Sequence, residues 1–365
     1  MAALSPFLVL YYQQLGLDGR QIGLLAGIPP GLILLGAAGW GALADASQRH
    51  RLVLSLAIAA TIGCVGALAV THAFHWLIVV VACMALCQSP ITPLVDNSVL
   101  ELLGDRRHRY GRIRMWGAIG WGAAGPVAGH LIERFGLSAS FAIYVVLFTV
   151  CLGIALVMPL AHVRVPAFWS GLRELVGNRQ WRVFLGLAFA SGAGLSVIHH
   201  YLFLYLESIG SSRGLMGYAL TIGTLSEMIV FYFGDRLLTR FGRRRLLVVS
   251  MLGGALRVTA YSLIDTPNLA LACQLLHGPS FALFWIAGVS YAHALAPPGL
   301  GATAQGQFLG VNFGLGGATG AIVGGLLFEH FGLFTMYRVA AVWLVFATAV
   351  YLFASRGTSD EAAPA

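Results

Sequence analysis

The chain of 365 residues has no lysine: all 22 of its basic residues are arginine. It is also poor in charge of either sign, with 10% charged residues and only 14 carboxylates. A soluble domain carries about 25% charged residues, so most of this surface cannot be meeting water. The five cysteines (Cys64, Cys83, Cys87, Cys151 and Cys273) all fall inside apolar stretches. Cys83 and Cys87 are four apart, a helical spacing that suits neither a zinc knuckle nor a redox pair, so all five are read as packing. No phosphate-binding loop follows a strand and no nucleophile stands beside a base, which removes ATPase and hydrolase chemistry. The net charge of +8 does not point to nucleic acid, because the arginines lie in short loops and not on one face. No cleavable signal peptide is expected.

What is abundant is apolar. Hydrophobic residues make up 58% of the chain, and they recur in runs near the ~20 residues needed to span a bilayer. These runs fall at about 1–15, 21–44, 52–71, 75–101, 113–132, 138–160, 181–206, 214–237, 246–264, 268–296, 301–328 and 333–354. They lack the two-residue alternation of barrel strands, so they predict helices. The expected fold is an all-α polytopic membrane protein of twelve transmembrane helices. Residues 1–14 give only about 21 Å of helix against a hydrocarbon core of ~30 Å. The first helix is therefore expected to be truncated, with a re-entrant segment as the alternative.

Arginine sets the orientation. The stretches 45–51, 102–112, 161–182 and 236–245 and the C-terminal tail are arginine-rich, whereas the opposite loops hold only Arg20, Arg134 and Arg213. By the positive-inside rule the first group is cytoplasmic, and so are both termini. The expected location is the bacterial cytoplasmic (inner) membrane.

The two halves repeat. Ile22 and Gly23 align with Met216 and Gly217, and Arg51 and Leu52 with Arg245 and Leu246. Glu133-Arg134-Phe135-Gly136-Leu137 aligns with Glu329-His330-Phe331-Gly332-Leu333. The expected organisation is a six-helix bundle over 1–160, a cytoplasmic linker over 161–180, a second bundle over 181–354 and a tail over 355–365.

Ionisable residues inside apolar runs cost several kcal/mol and usually serve transport. Asp96, Arg114, Glu227, Arg257 and His277 are such residues. A carboxylate whose cationic partner moves changes its proton affinity, and histidine adds a second group titrating near neutrality. Glu227 with Arg257 and His277 is thus expected to form a proton relay, with a static ion pair as the alternative. Asp96 and Arg114 are expected to clasp substrate, the arginine offering a bidentate fork; the alternative is a pair that only locks a closed state. His199 and His200 are expected to line the substrate cavity, with satisfied packing or a metal site as the alternatives, and Gln274 is a further cavity candidate. Tyr11, Gln13 and Asn312 are weaker ones. Glycines 310, 314, 316, 317, 320, 324 and 325 are expected to permit close helix packing.

Two stretches carry a family resemblance. Gly41-Ala42-Leu43-Ala44-Asp45 followed by Arg49 and Arg51 resembles the cytoplasmic gating loop of the major facilitator superfamily. The run from Ser89 through Pro90, Pro93 and Asp96 to Tyr110, Arg114, Gly117 and Trp121 resembles the lactose permease and, more closely, the phenylpropionate permease family. There a helix-4 carboxylate precedes a helix-5 arginine by 18 residues and a tryptophan follows seven later, as with Asp96, Arg114 and Trp121. The second half departs from the sugar permease at Gln274 and Ser280, where a lysine and a carboxylate would stand. The resemblance implies proton-coupled symport of a small aromatic or carboxylic acid, or of an oligosaccharide. It implies no cofactor beyond the proton gradient, no nucleic acid partner, and a monomer in the lipid bilayer. A drug/proton antiporter and a non-transporting sensor or scaffold are the alternatives.

Overall fold

The computed structural model describes residues 1–47, 49–158, 172–297 and 300–356. Among them the chain is helical throughout, without strands. The helices of the first half are α1 (Leu8–Gln14), α2 (Gly19–Ser47), α3 (His50–Val70) and α4 (Phe74–Gln88, prolonged by Ile91–Leu103). The half closes with α5 (Tyr110–Phe135) and α6 (Ala139–Val157). The second half holds α7 (Arg179–Ser208), α8 (Arg213–Tyr232), α9 (Arg243–Tyr261) and α10 (Pro267–Leu295). Residues 301–331 form α11 and 333–354 form α12, divided at Gly332, whose φ of 78° only glycine adopts freely. Among the described residues, seven helical stretches are long and apolar enough to cross a membrane.

Short elements fill the junctions. A single 3-10 turn, Ser5–Phe7, leads into α1. The expected run to 237 instead stops at Tyr232, and Gly234–Phe241 forms a separate helix whose arginines lie over Phe233 and Phe241. Leu172–Gly177 belongs to the expected linker, and Arg182 caps it by donating to the Val176 and Gly177 carbonyls at 2.8 and 2.9 Å. The rest of the linker, through residue 171, lies outside the described residues.

The exterior suits lipid. Tyr232, Val157, Val70, Leu263 and Phe353 are each more than 70% exposed, apolar surface that a protein in water does not carry in such quantity. The five cysteines are free.

The repeat read from the sequence extends to the backbone. Gly136 and Gly332 end α5 and α11 with φ of 86° and 78°. Gly16 and Gly210 end the stretches after α1 and α7 with φ of 79° and 82°. Across the halves, α5 packs antiparallel on α8, with Gly129 at Arg213 and Gly214, and Gly125 at Gly217. In the same way α2 packs on α11, with Gly19 and Gly23 at Gly325 and Gly27 at Ala318. A methyl group on most of these glycines would strike opposing backbone, so only hydrogen permits the approach. Both seams are tight at the end that carries the Arg20, Arg134 and Arg213 loops.

Candidate functional site

The relay is built on a deliberate irregularity in α10. Pro279 removes a backbone donor, and the helix passes through a 3-10 turn at Cys273–Leu276 and a π turn at Gly278–Ala282. Backbone groups freed inside a membrane must find partners. Ser226 of α8 supplies them: its hydroxyl accepts from the Gly278 N–H at 3.0 Å and donates to the Leu275 carbonyl at 2.5 Å. His277, held between those two anchors, stacks on Phe281 with ring centroids 5.0 Å apart.

Glu227 follows Ser226 on α8, and its Oε2 lies 3.5 Å from His277 Nε2. On the other side of the ring, Arg257 of α9 reaches His277 Nδ1 at 2.9 Å and donates to Gln274 Oε1 at 2.6 Å. Arg257 is 4% exposed and its guanidinium lies 5.8 Å from the Tyr261 ring centroid. Arginine has donors only, so the Nδ1 that meets it must present a lone pair. The ring is therefore neutral with its proton on Nε2, the atom aimed at Glu227. The order is Glu227, His277, Arg257, Gln274. His277 stands between Glu227 and Arg257.

Gln274, expected at the substrate cavity, is 3% exposed and serves Arg257. Asn312 is likewise buried, donating to the Ala188 carbonyl at 2.7 Å where α11 packs against α7. Tyr11 is buried against Phe141, and Gln13 is exposed. Ser280 donates to the Leu276 carbonyl within the irregular turn.

Asp96 and Arg114 do meet, but loosely. Arg114 Nε lies 3.9 Å from Asp96 Oδ1, with the side chains 55% and 31% exposed. The pair is open enough for a ligand to enter between its members. Trp121 is half-buried two turns further along α5. The antiparallel register of α5 on α8 sets Glu227 level with about residue 117, roughly one helical turn from both Arg114 and Trp121. Thr221 fixes that register by donating to the Gly122 carbonyl at 2.7 Å. The two charged groups therefore share one seam.

His199 is exposed and His200 half-buried on α7, their rings 4.9 Å apart and perpendicular. Among the described residues no three His, Cys, Asp or Glu side chains gather to hold a metal ion.

Of the gating-loop residues, Gly41 and Asp45 sit in the last turns of α2, and their side chains lie outside the described residues. Arg49 stands immediately before α3 and is exposed, as is Arg51.

Sequence reasoning missed Ser226, Phe281 and Tyr261 as supports of the relay. Ser226 carried one usable signal, its position beside Glu227 on an apolar helix.

The family model described as "MFS_1 like family" matches residues 1–339. An uncharacterized transporter, YwbF, of Bacillus subtilis is 27% identical over 96% of this chain and 89% of its own. A maltose permease of Geobacillus stearothermophilus is 27% identical over 94% and 87%. A probable 3-phenylpropionic acid transporter of Escherichia coli is 25% identical over 78% and 76%. Among solved structures, the nucleoside transporter NupG superposes with a TM-score of 0.85 at 20% identity, covering 97% of this chain and 95% of that one. A match over nearly the whole chain, together with this helical architecture, makes the protein a membrane transporter that belongs to the MFS_1 like family of the major facilitator superfamily.

Proposed function

We propose that the protein is a proton-coupled symporter that takes up a small organic solute by alternating access. Residues 1–160 would rock against 181–354, with both termini cytoplasmic in a bacterial inner membrane. The observation that carries this reading is the ordered contact chain from Glu227 through His277 to Arg257. A buried arginine needs a compensating charge, and removing one partner of a buried pair costs about 3–5 kcal/mol. Here Glu227 supplies the charge through a neutral imidazole. A proton arriving on Glu227 removes that compensation and forces the network to rearrange, which couples protonation to conformation. His277 is poorly suited to take the proton in this state, because its Nδ1 lone pair is held by Arg257.

Asp96, Arg114 and Trp121 form the substrate clasp, with His199 and His200 lining the same cavity. A carboxylate substrate would displace Asp96 from the guanidinium fork, and a sugar hydroxyl pair would bridge the two. An aromatic ring or a sugar face would lie on Trp121. The phenylpropionic acid and maltose relatives support those two classes. The seams are tight at the end with few arginines, which together with the positive-inside reading supports an inward-facing state.

The test is uptake in proteoliposomes of 3-phenylpropionate and of maltose under an imposed inward proton gradient. Symport predicts accumulation that collapses with a protonophore. Accumulation driven only by an outward gradient would indicate an antiporter, and no flux of either kind a scaffold.

A further inference from the structure

The duplicated Glu-X-Phe-Gly-Leu motif plays no part in the relay or the clasp, yet its two glutamates occupy equivalent places. Glu133, in the last turn of α5, accepts a hydrogen bond from the Gly214 N–H at 2.9 Å. Glu329, in the last turn of α11, accepts one from the Gly19 N–H at 2.5 Å. Each acceptor reaches across to the first turn of a helix in the opposite half, α8 in one case and α2 in the other. Each receiving helix already has a cap of its own: Ser212 accepts from Leu215 N–H at 3.2 Å, and Asp18 from Gln21 N–H at 2.8 Å. A carboxylate from the other half then takes a first-turn donor that no helix satisfies internally, where the helix dipole favours negative charge.

The surroundings repeat as well. Both donors are glycines, and a methyl group on Gly214 would strike Glu133 and His130, while one on Gly19 would strike Glu329 and the Gly325 carbonyl. An arginine follows Gly19 and precedes Gly214: Arg20 meets His330 at 2.7 Å, and Arg213 lies 3.8 Å from Glu207. A histidine accompanies each glutamate, His130 beside Glu133 and His330 beside Glu329.

We propose that Glu133 and Glu329 are paired gating residues, one on each interhelical seam, that hold this end of the transporter shut. The proposal rests on the alternating-access reading for its consequence, since only a protein that rocks must break these bonds. The geometry explains why the pair is matched. Rocking about a two-fold related interface must release both seams together, and two equivalent latches oppose that motion evenly. A hydrogen bond to a charged acceptor is stronger than a neutral one. Neutralising each glutamate while keeping its shape is expected to raise the open-to-closed ratio about tenfold, and about a hundredfold for both, because the seams share no partners.

The test places one reactive cysteine, Leu220→Cys on the α8 seam beside Gly125, in a background with the five native cysteines replaced by serine. Oriented membrane vesicles are exposed to a membrane-impermeant maleimide from the Arg20 side or from the arginine-rich side. Glu133→Gln and Glu329→Gln should each speed labelling from the Arg20 side about tenfold, and together about a hundredfold. Glu133→Asp and Glu329→Asp keep the charge and should fall between parent and glutamine variants, so the idea stays testable if the glutamine pair folds poorly. A folded double variant that labels at the parental rate would overturn the proposal. So would an effect confined to the arginine-rich side, or a single variant equal to the double. Labelling needs neither substrate nor proton gradient, so failure of the symport reading would leave this result distinct.

Discussion

Ser226→Ala offers a sharp perturbation, because that hydroxyl both ties down the irregular turn of α10 and neighbours Glu227. Ser226 is 6% exposed, and loss of its hydroxyl strands the Gly278 N–H and the Leu275 carbonyl. A buried polar group left without a partner costs about 1–3 kcal/mol. Rescue by an entering water lowers that figure, and interhelical bonds in membranes average below about 1 kcal/mol. A destabilisation of about 1 kcal/mol is therefore expected, a shift of roughly 2 °C in the midpoint of thermal unfolding in detergent. The functional effect should be larger than the thermal one. His277 sits between the two anchored residues, and a loosened turn lets its Nε2 drift from Glu227. Proton-driven accumulation should fall about tenfold, whereas exchange of labelled for unlabelled substrate, which needs no net proton movement, should change little. A Ser226→Thr variant keeps the hydroxyl and should restore coupling if its methyl is tolerated. Unchanged midpoint and unchanged accumulation in Ser226→Ala would refute the claim that this clamp positions the relay.

Two further outcomes follow from the same geometry. Arg114→Lys keeps the charge but loses the planar fork, so substrate affinity measured by tryptophan quenching or equilibrium binding should fall at least about tenfold, with the unfolding midpoint nearly unchanged; an unaltered affinity would remove Arg114 from the clasp. Gly217→Ala would drive a methyl into the backbone of Gly125 and Pro126. Overpacking of this kind costs about 1–3 kcal/mol in the closed state alone, so spin-label distances between the 136 and 210 loops should lengthen; unchanged distances would refute the tight-seam account.

The spans were legible because apolar runs of bilayer length have only one structural solution in lipid. Helix α10 shows the limit. Residues 268–296 read as one uninterrupted span, and the 3-10 and π turns around His277 follow from Gly278 and Pro279 only when Ser226 is near enough to satisfy the loosened backbone. The charged positions were legible by their rarity, but their pairing was not. Glu227, Arg257 and Gln274 lie on three different helices, and nothing in their spacing says that His277 comes between the first two or that Gln274 turns away from the cavity toward Arg257. The Glu-X-Phe-Gly-Leu motif was visible as a repeat. Its partners were invisible because they are backbone N–H groups of glycine, which carry no side-chain signature. Asp96, Arg114 and Trp121 were the opposite case: their positions on adjoining helices survive as fixed sequence intervals, and the structure brings Asp96 and Arg114 to 3.9 Å.

The central claim is that Glu227 carries the proton whose arrival is coupled to substrate entry. It is tested by recording proton influx with a pH-sensitive dye inside proteoliposomes when substrate is added outside without any imposed gradient. The parent protein should acidify the lumen in step with substrate uptake. Glu227→Gln, with its carboxyl replaced by a neutral amide of the same shape, should give no acidification while still exchanging labelled for unlabelled substrate. Acidification by the Glu227→Gln protein at the parental ratio of protons to substrate would contradict the account.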